Sequence, residues 1–136
     1  MIVVDASAAL AMLLASQMTA AADEFFAHEQ PPLIAPAIFA FEVRNALLRA
    51  ERRGMTDPDL VDEGSAELAA LVETRSWSGR IAEFVRLIAL ARRENLSLFD
   101  AAYLDLAQQE AAAIATRDSS LIEAAKRCGL AVHDLR

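Results

Sequence analysis

The chain has 136 residues, of which 55% are hydrophobic and 24% are charged. This composition excludes intrinsic disorder and is sufficient for a sizeable core. No apolar run approaches the roughly 20 residues that a membrane span needs. The single cysteine, Cys128, excludes an internal disulfide and a Cys-based metal cluster. The first residues, MIVVDAS, carry no basic residue and are not typical of a signal peptide, so we expect a soluble, cytoplasmic protein.

The formal net charge is −7, from 13 basic and 20 acidic residues. An acidic chain is a poor candidate for nonspecific binding of nucleic acid through bulk charge. The charge does not exclude a nuclease, because such enzymes gather carboxylates around a cation.

The hydrophobic pattern alternates strands and helices at both ends of the chain and is rich in helices between them. Residues Ile2 to Val4 form an uninterrupted β-branched run, typical of a buried parallel strand. Pro36 is suited to the first turn of a helix, and Gly54 to the end of that helix. The predicted strands span 2–4, 33–35, 113–116 and 130–133, and the predicted helices span 6–14, 19–29, 36–53, 58–74, 80–94, 97–110 and 119–128.

This order of elements predicts an α/β fold, with three layers (α/β/α) around a short, mainly parallel central sheet. No repeat and no linker-like segment divides residues 1–136, so we expect a single domain. In such folds, ligands bind beyond the carboxyl ends of the strands.

Four acidic residues occupy positions at or near that edge. Asp5 directly follows the first predicted strand, and Asp118 follows the third by one residue. Glu42 lies about two turns into the helix predicted to begin at Pro36, and Asp100 lies in the first turn of another helix. Each of the four also has a purely structural interpretation, because the three aspartates suit helix caps and Glu42 suits a solvated helix face.

Taken together, the four acids favour a metal site. Asp5 and Glu42 lie in very apolar segments, where an isolated carboxylate is costly to desolvate. Several carboxylates at one sheet edge also repel each other, and a divalent cation relieves that repulsion. An all-oxygen donor set favours Mg²⁺ or Mn²⁺ over zinc. His28, His133, Tyr103 and Trp77 are interpreted as structural or packing residues.

Four segments carry a family resemblance that spans nearly the whole chain: MIVVDASAAL, FEVRNALLRAERRG, NLSLFDAAYLDLA and AIATRDSSLIEAAKRCGLAV. In order and spacing they resemble the PIN domain, and more narrowly the VapC-type toxins of type II toxin–antitoxin systems. The resemblance implies a Mg²⁺- or Mn²⁺-dependent endoribonuclease. It also implies a homodimer that a cognate antitoxin inactivates by laying its C-terminal segment across the active-site groove.

The resemblance assigns roles residue by residue. The catalytic acids fall on Asp5, Glu42, Asp100 and Asp118. Of these, Asp5, Asp100 and Asp118 would chiefly hold the metal, and Glu42 would hold a second ion or orient the attacking water. Supporting polar positions fall on Ser7, Asn45 and Thr116. The arginines proposed to contact RNA phosphates beside the site are Arg44, Arg49, Arg52 and Arg53.

Two further expectations concern residues around this set. Asp105 adds an acid to the helix of Asp100 and is interpreted as peripheral. The helices over 37–53 and 58–74 are the predicted faces of the dimer, since the apolar content of the Ala-rich helices exceeds what one small core buries.

Three other classes of protein share some of these features. A haloacid-dehalogenase-like phosphatase needs Asp-x-Asp, but Ser7 stands at the third position. A receiver domain needs an acidic pair after its first strand and a lysine after its last, whereas Asp5 stands alone and Lys126 is inside a predicted helix. The main alternative is a catalytically silent PIN-like module that binds RNA or a partner without cleaving it.

Overall fold

The centre of the molecule is a five-stranded sheet in which all neighbouring strands are parallel. The structure is a computed structural model, and it describes residues Met1–Arg136. The strands are β1 (Ile2–Val4), β2 (Leu33–Pro36), β3 (Val72–Arg75), β4 (Ala113–Thr116) and β5 (Val132–Asp134), in the order β3-β2-β1-β4-β5. All residues of β1 and β2 are buried, as expected when both faces of a sheet are covered by helices.

Seven α-helices surround the sheet and complete the three predicted layers, so the predicted fold class is confirmed. They are α1 (Ala6–Leu13), α2 (Ala20–Ala27), α3 (Phe39–Arg52), α4 (Pro58–Leu71), α5 (Ile81–Glu94), α6 (Leu98–Gln109) and α7 (Ser119–Arg127). A short 3₁₀ helix, Ala15–Gln17, joins α1 to α2. None of the helices is both long and apolar enough to cross a lipid bilayer.

The strand order fixes where a ligand is expected. From β1 the chain builds outward to β2 and β3 on one side, then returns to build β4 and β5 on the other side of β1. The direction in which successive strands are added to the sheet therefore reverses between β1 and β4. The carboxyl ends of the strands at such a switch point form the usual binding crevice of open α/β sheets. Asp5 and Asp118 follow those two strands.

The strand that was not predicted, β3, corrects the prediction for residues 58–74. The predicted helix ends at Leu71, and Val72–Arg75 instead forms β3, which pairs with β2. Only Val72 of this strand is fully buried, while Glu73 and Thr74 are exposed. An edge strand of this kind lacks the apolar run by which the other strands were recognised.

Pro36 is also placed differently from the prediction. It ends β2, opposite Arg75 of β3, and α3 begins only at Phe39. The fixed φ of proline suits a strand end as well as the first turn of a helix, so the residue alone did not distinguish the two. The consequence is that Glu42 lies in the first turn of α3, not two turns into it.

The apolar pattern of α5 is only partly used inside the protein. Its buried residues are Leu87, Leu90 and Glu94. Ile81 and Val85 are 82% and 61% exposed, and Phe84 and Ile88 beside them are also exposed. These four residues form one face at helical spacing, which we call the α5 stripe.

Candidate active site

Asp5 is a buried carboxylate at the carboxyl end of β1 that is surrounded by hydrogen-bond donors. Oδ1 accepts the Ala8 backbone N–H at 2.9 Å, which caps α1. The Ser7 hydroxyl lies 2.8 and 2.9 Å from the two carboxylate oxygens. Thr116 Oγ1 donates to Oδ2 at 2.7 Å. Asp5 is therefore a helix cap, as its structural interpretation proposed, and at the same time the centre of a polar network that joins β1 to β4.

Burial raises the pKa of Asp5 from 3.8 to about 6. The hydrogen bonds from Ala8, Thr116 and Ser7 lower the pKa, but they do not offset the loss of solvation. The negative charge of Asp118 adds to the increase. The surroundings of Asp5 therefore destabilise its charged form. A nearby cation would stabilise the charged form and lower the pKa.

The segment after β4 completes this network. Thr116 is fully buried, and its Oγ1 accepts the backbone N–H of Asp118 at 2.9 Å while it donates to Asp5. Asp118 caps α7 by accepting the Leu121 N–H at 2.9 Å. Ser7 Oγ accepts the Arg117 N–H at 2.9 Å. Ser7 and Thr116 thus hold the Asp5 carboxylate, which is the position that the resemblance gives to small hydroxyl residues.

Glu42 approaches the same edge from α3 and is held by Tyr103 of α6. The Tyr103 hydroxyl donates to Glu42 Oε2 at 2.5 Å, and the Tyr103 side chain is almost wholly buried. Burial raises the pKa of Glu42, the bond from Tyr103 opposes that increase, and the charge of Asp100 adds to it. The Tyr103 phenol has its pKa raised by burial and by the charges of Glu42, Asp5 and Asp100. The hydroxyl therefore lies among three of the four predicted acids.

The sequence interpretation of Tyr103 as a packing residue was incomplete, because its ring is buried but its hydroxyl belongs to the site. The signal that would have identified it is its spacing from Asp100. Residues three apart on a helix lie on the same face, so Tyr103 is expected to point toward the same site as Asp100.

Asp100 lies at the N-terminus of α6, as predicted. Ser97 Oγ accepts the Asp100 N–H at 3.0 Å, and the Ser97 hydroxyl donates to Asp100 Oδ2 at 2.6 Å. The first bond is the helix cap that the spacing suggested, whereas the second joins the two side chains and does not reach the Ser97 backbone N–H as in a full capping box. Asp105 on the same helix instead accepts two bonds from Arg86 and one from Gln109, so its interpretation as peripheral agrees with the structure.

An open groove of about 620 Å³ runs beside these acids. One wall comes from α1 and the 3₁₀ helix, and the other from α3, and Phe99 of α6 also lines the groove. Phe41 and Phe99 are 75% and 52% exposed. The lining residues are Ala6, Ser7, Leu10, Gln17, Ile38, Phe41, Glu42, Asn45, Ala46, Arg49 and Phe99. We call this feature the α1–α3 groove.

The model of one protein family, the PIN domain, matches residues 2–127. The chain belongs to the PIN domain family. This is a family of nucleases. A comparison with curated protein sequences gives no match.

Solved structures resemble this PIN domain along most of its length. PAE2754 from Pyrobaculum aerophilum has a TM-score of 0.70 at 23% identity, covering 97% of this chain and 83% of that one. VapC20 from Mycobacterium tuberculosis, described as a sarcin-ricin loop cleaving toxin, has a TM-score of 0.66 at 18% identity, covering 91% and 95%. FitAcB from Neisseria gonorrhoeae has a TM-score of 0.65 at 17% identity, covering 97% and 96%. These similarities show the fold.

The four arginines predicted near the site of this PIN domain are not equivalent. Arg49 lines the α1–α3 groove, as does Asn45. The Arg44 guanidinium donates to the carbonyls of Ala40 and Ser65, and so is directed toward α4. Arg52 and Arg53 lie at the end of α3, about 15 Å along the helix from Glu42 at a rise of about 1.5 Å per residue.

The acids of the PIN domain fit a largely hydrated cation better than a closed metal cage. No group of three or more His, Cys, Asp and Glu side chains is arranged to hold a metal ion directly. Mg²⁺ retains several waters in proteins and is often bound through only one or two carboxylates. The carboxylate oxygens of Asp5, Asp100 and Asp118 have the chemistry that such an ion prefers, and burial of Asp5 raises its pKa, which a nearby cation would counter.

Proposed function

We propose that this PIN domain is a Mg²⁺- or Mn²⁺-dependent endoribonuclease of the VapC toxin type, acting on RNA in the cytoplasm. The observation that carries the proposal is the arrangement of the acids. Asp5, Glu42, Asp100 and Asp118 come from four separate segments. The charges of the first three act on the Tyr103 hydroxyl, and Asp118 follows Thr116, which donates to Asp5. The similarity to VapC20, a toxin that cleaves the sarcin-ricin loop, supports RNA as the substrate.

The proposed chemistry is hydrolysis of a phosphodiester bond. A cation bound by Asp5, Asp100 and Asp118 would polarise the phosphoryl group and lower the pKa of a water molecule. Glu42 has one oxygen fixed by Tyr103, which leaves Oε1 as the atom that accepts a hydrogen bond from the attacking water. Ser7 and Thr116 keep Asp5 from rotating, so its charge stays in place through the reaction.

The second candidate function is that of a PIN-like module that binds RNA or a partner without cleaving it. One observation favours it: three side chains that could ligate an ion directly do not come together in this structure. The two functions differ in whether the purified protein cleaves RNA when Mg²⁺ or Mn²⁺ is added.

The deciding experiment measures cleavage of labelled single-stranded RNA by the purified protein in Mg²⁺, in Mn²⁺ and in EDTA. We expect cleavage in either metal and none in EDTA. Asp100→Asn should lower the rate by roughly a hundredfold or more, because it removes charge from the metal site. Asp105→Asn, five residues along the same helix, is the matched control and should cleave at the parental rate. Binding of RNA without metal-dependent cleavage would instead support the silent module.

We also propose that a cognate antitoxin binds in the α1–α3 groove. Exposed Phe41 and Phe99 offer apolar contacts there, and the nearby acids suit an arginine of the incoming segment. Such an arginine would pair with Asp5, Glu42 or Asp100 and displace the cation. Excess Mg²⁺ should therefore weaken binding of the antitoxin's C-terminal peptide, and an affinity that is indifferent to Mg²⁺ would refute displacement.

We propose that the homodimer forms through the α5 stripe, in place of the helices over 37–53 and 58–74 predicted from the sequence. The helices predicted for it, α3 and α4, pack against each other, whereas most of the α5 stripe is exposed and only Phe84 packs against another aromatic ring, that of Trp77. An exposed apolar face of this kind marks an interface. Val85→Glu should convert a dimer to a monomer by light scattering at micromolar concentration, whereas Arg92→Glu on the same helix should not.

A further inference from the structure

Arg117 is the residue between Thr116 and Asp118, in the segment that joins β4 to α7. Its backbone N–H donates to Ser7 Oγ at 2.9 Å, and that hydroxyl contacts both oxygens of Asp5. The main chain of Arg117 is therefore fixed within the network that holds the central acid. Its side chain leaves this network in the direction of the 3₁₀ helix.

The guanidinium of Arg117 is poorly satisfied. Its one side-chain contact is a long bond of 3.4 Å from Nη1 to Gln17 Oε1, and its buried Nε has no hydrogen-bond partner. It forms no salt bridge, although Asp118 is its neighbour in sequence. The arginines that do pair with carboxylates are Arg75, Arg86, Arg93, Arg127 and Arg136. Buried donors are normally paired. The Nε of Arg75 is also unpaired, but Arg75 has a carboxylate partner, whereas Arg117 has none and keeps its donors available to a ligand.

Gln17 connects this arginine to the groove. It lines the α1–α3 groove on the wall formed by α1 and the 3₁₀ helix, together with Ser7. Arg49 lines the other wall, on α3. Arg117 does not itself line the groove, but it contacts Gln17, so an RNA strand in the groove would have Arg49 on one wall and Arg117 behind Gln17 on the other.

We propose that Arg117, oriented by Gln17, binds a phosphate of the RNA strand next to the scissile position. The inference rests on the proposed function and extends it with a substrate-binding residue outside the four arginines predicted from sequence. A phosphodiester that approaches four carboxylates on a chain of net charge −7 needs a local positive charge. Arginine presents planar, paired donors that match phosphate oxygens, and exchanging neutral Gln17 for a phosphate breaks no ion pair.

Two other roles for Arg117 lead to different measurements. A structural role, in which Arg117 ties the 3₁₀ helix to the β4–α7 segment, would lower the melting temperature of an Arg117 variant. A role in holding Asp118 would lower kcat and leave RNA binding unchanged. A phosphate contact instead raises KM, weakens binding to RNA of any sequence and reduces the salt dependence of binding.

The test compares Arg117→Gln with the parent protein and with Arg92→Gln, a control at an exposed arginine in the last turn of α5 that has no place in the site. Binding of a fluorescent single-stranded RNA of mixed sequence is measured by anisotropy in EDTA over a range of salt concentrations. Arg117→Gln should weaken binding by roughly tenfold, the size expected for one charge-assisted hydrogen bond. The slope of log K against log salt should fall in magnitude by about 0.7, the value for one phosphate on a single strand.

Cleavage kinetics in Mg²⁺ separate this inference from the proposed function. Arg117→Gln should raise KM with little change in kcat, and Arg117→Lys should recover part of the affinity because it keeps the charge. Parental binding and salt slope in Arg117→Gln would overturn the inference, as would a loss confined to kcat or to melting temperature. Failure of the parent protein to cleave RNA would overturn the proposed function, whereas the binding comparison would still decide the role of Arg117.

Discussion

The two sides of the candidate site differ in how tightly they are held. On the β1–β4 side, Asp5 is buried and both its oxygens are bound by Ser7, Thr116 and the start of α1. On the α3 side, Glu42 is half-buried and held by the Tyr103 hydroxyl alone, at the edge of an open groove. The fixed side is suited to keeping charge in place, and the open side is suited to admitting water, RNA or an antitoxin segment.

Asp5→Asn tests the fixed side and should have the largest effect. Asn caps a helix nearly as well as Asp, so the melting temperature in EDTA should stay the same or rise, because repulsion with Asp118 is removed. RNA cleavage in Mg²⁺ should fall by about two to three orders of magnitude, because the charge at the metal site is lost. If Asp5→Asn cleaves RNA at the parental rate, Asp5 is only a helix cap and the β1–β4 side does not hold a charge that cleavage needs.

The fixed side should also give the metal-free protein an unusual dependence of stability on pH. The pKa of Asp5 is about 6 in the folded protein against 3.8 ordinarily, so the folded state binds a proton more readily than the unfolded state between these values. The free energy of unfolding should therefore rise as pH falls from about 6 to about 4, by on the order of 3 kcal/mol from Asp5.

Urea unfolding in EDTA across this pH range measures the effect, and Asp5→Asn is the control that should reduce it. Glu42, whose pKa burial also raises, acts in the same direction as Asp5. Asp134 acts with the opposite sign and at lower pH. The pKa of Asp134 is lowered to about 2 by Arg136, so its contribution to stability is lost only as pH falls from its ordinary range toward that value. A parental protein whose stability falls steadily from pH 6 to pH 4 would contradict the raised pKa of Asp5.

Thr116→Val asks whether the fixed side depends on its buried hydroxyl. Valine keeps the shape but removes the donor to Asp5 and the acceptor for the Asp118 N–H. Each group left buried without a partner costs about 1–3 kcal/mol. We expect the unfolding free energy at neutral pH to fall by about 2 kcal/mol, with Thr74→Val on the exposed edge strand as a near-neutral control. Full stability in Thr116→Val would show that water replaces the hydroxyl and that this side is less closed than its contacts suggest.

The positions of Asp5, Asp118 and Asp100 in their elements could be predicted from the sequence because the signals are local. Asp5 and Asp118 directly follow buried strands, and Ser97 stands three residues before Asp100, so their placement depends on neighbouring residues. The placement of Glu42 depends on where α3 begins, and Pro36 suited both a strand end and a helix start. Its contact with Tyr103 joins residues 61 positions apart, and β3 is recognisable only by its pairing with β2. Such features depend on tertiary packing, which no short pattern contains.

Tyr103→Phe tests the open side and should have the smallest effect. Phenylalanine keeps the buried ring, so the fold should be maintained, but Glu42 loses the donor that fixes Oε2. One hydrogen bond to a charged group contributes about 1.5 kcal/mol, so kcat in Mg²⁺ should fall by about tenfold while KM for RNA changes little. Leu104→Met, at the next position of α6 and wholly inside the core, is the packing control and should retain kcat. A parental kcat in Tyr103→Phe would mean that the groove positions Glu42 without the tyrosine, whereas a loss as large as that of Asp5→Asn would mean that the open side is held as strictly as the fixed one.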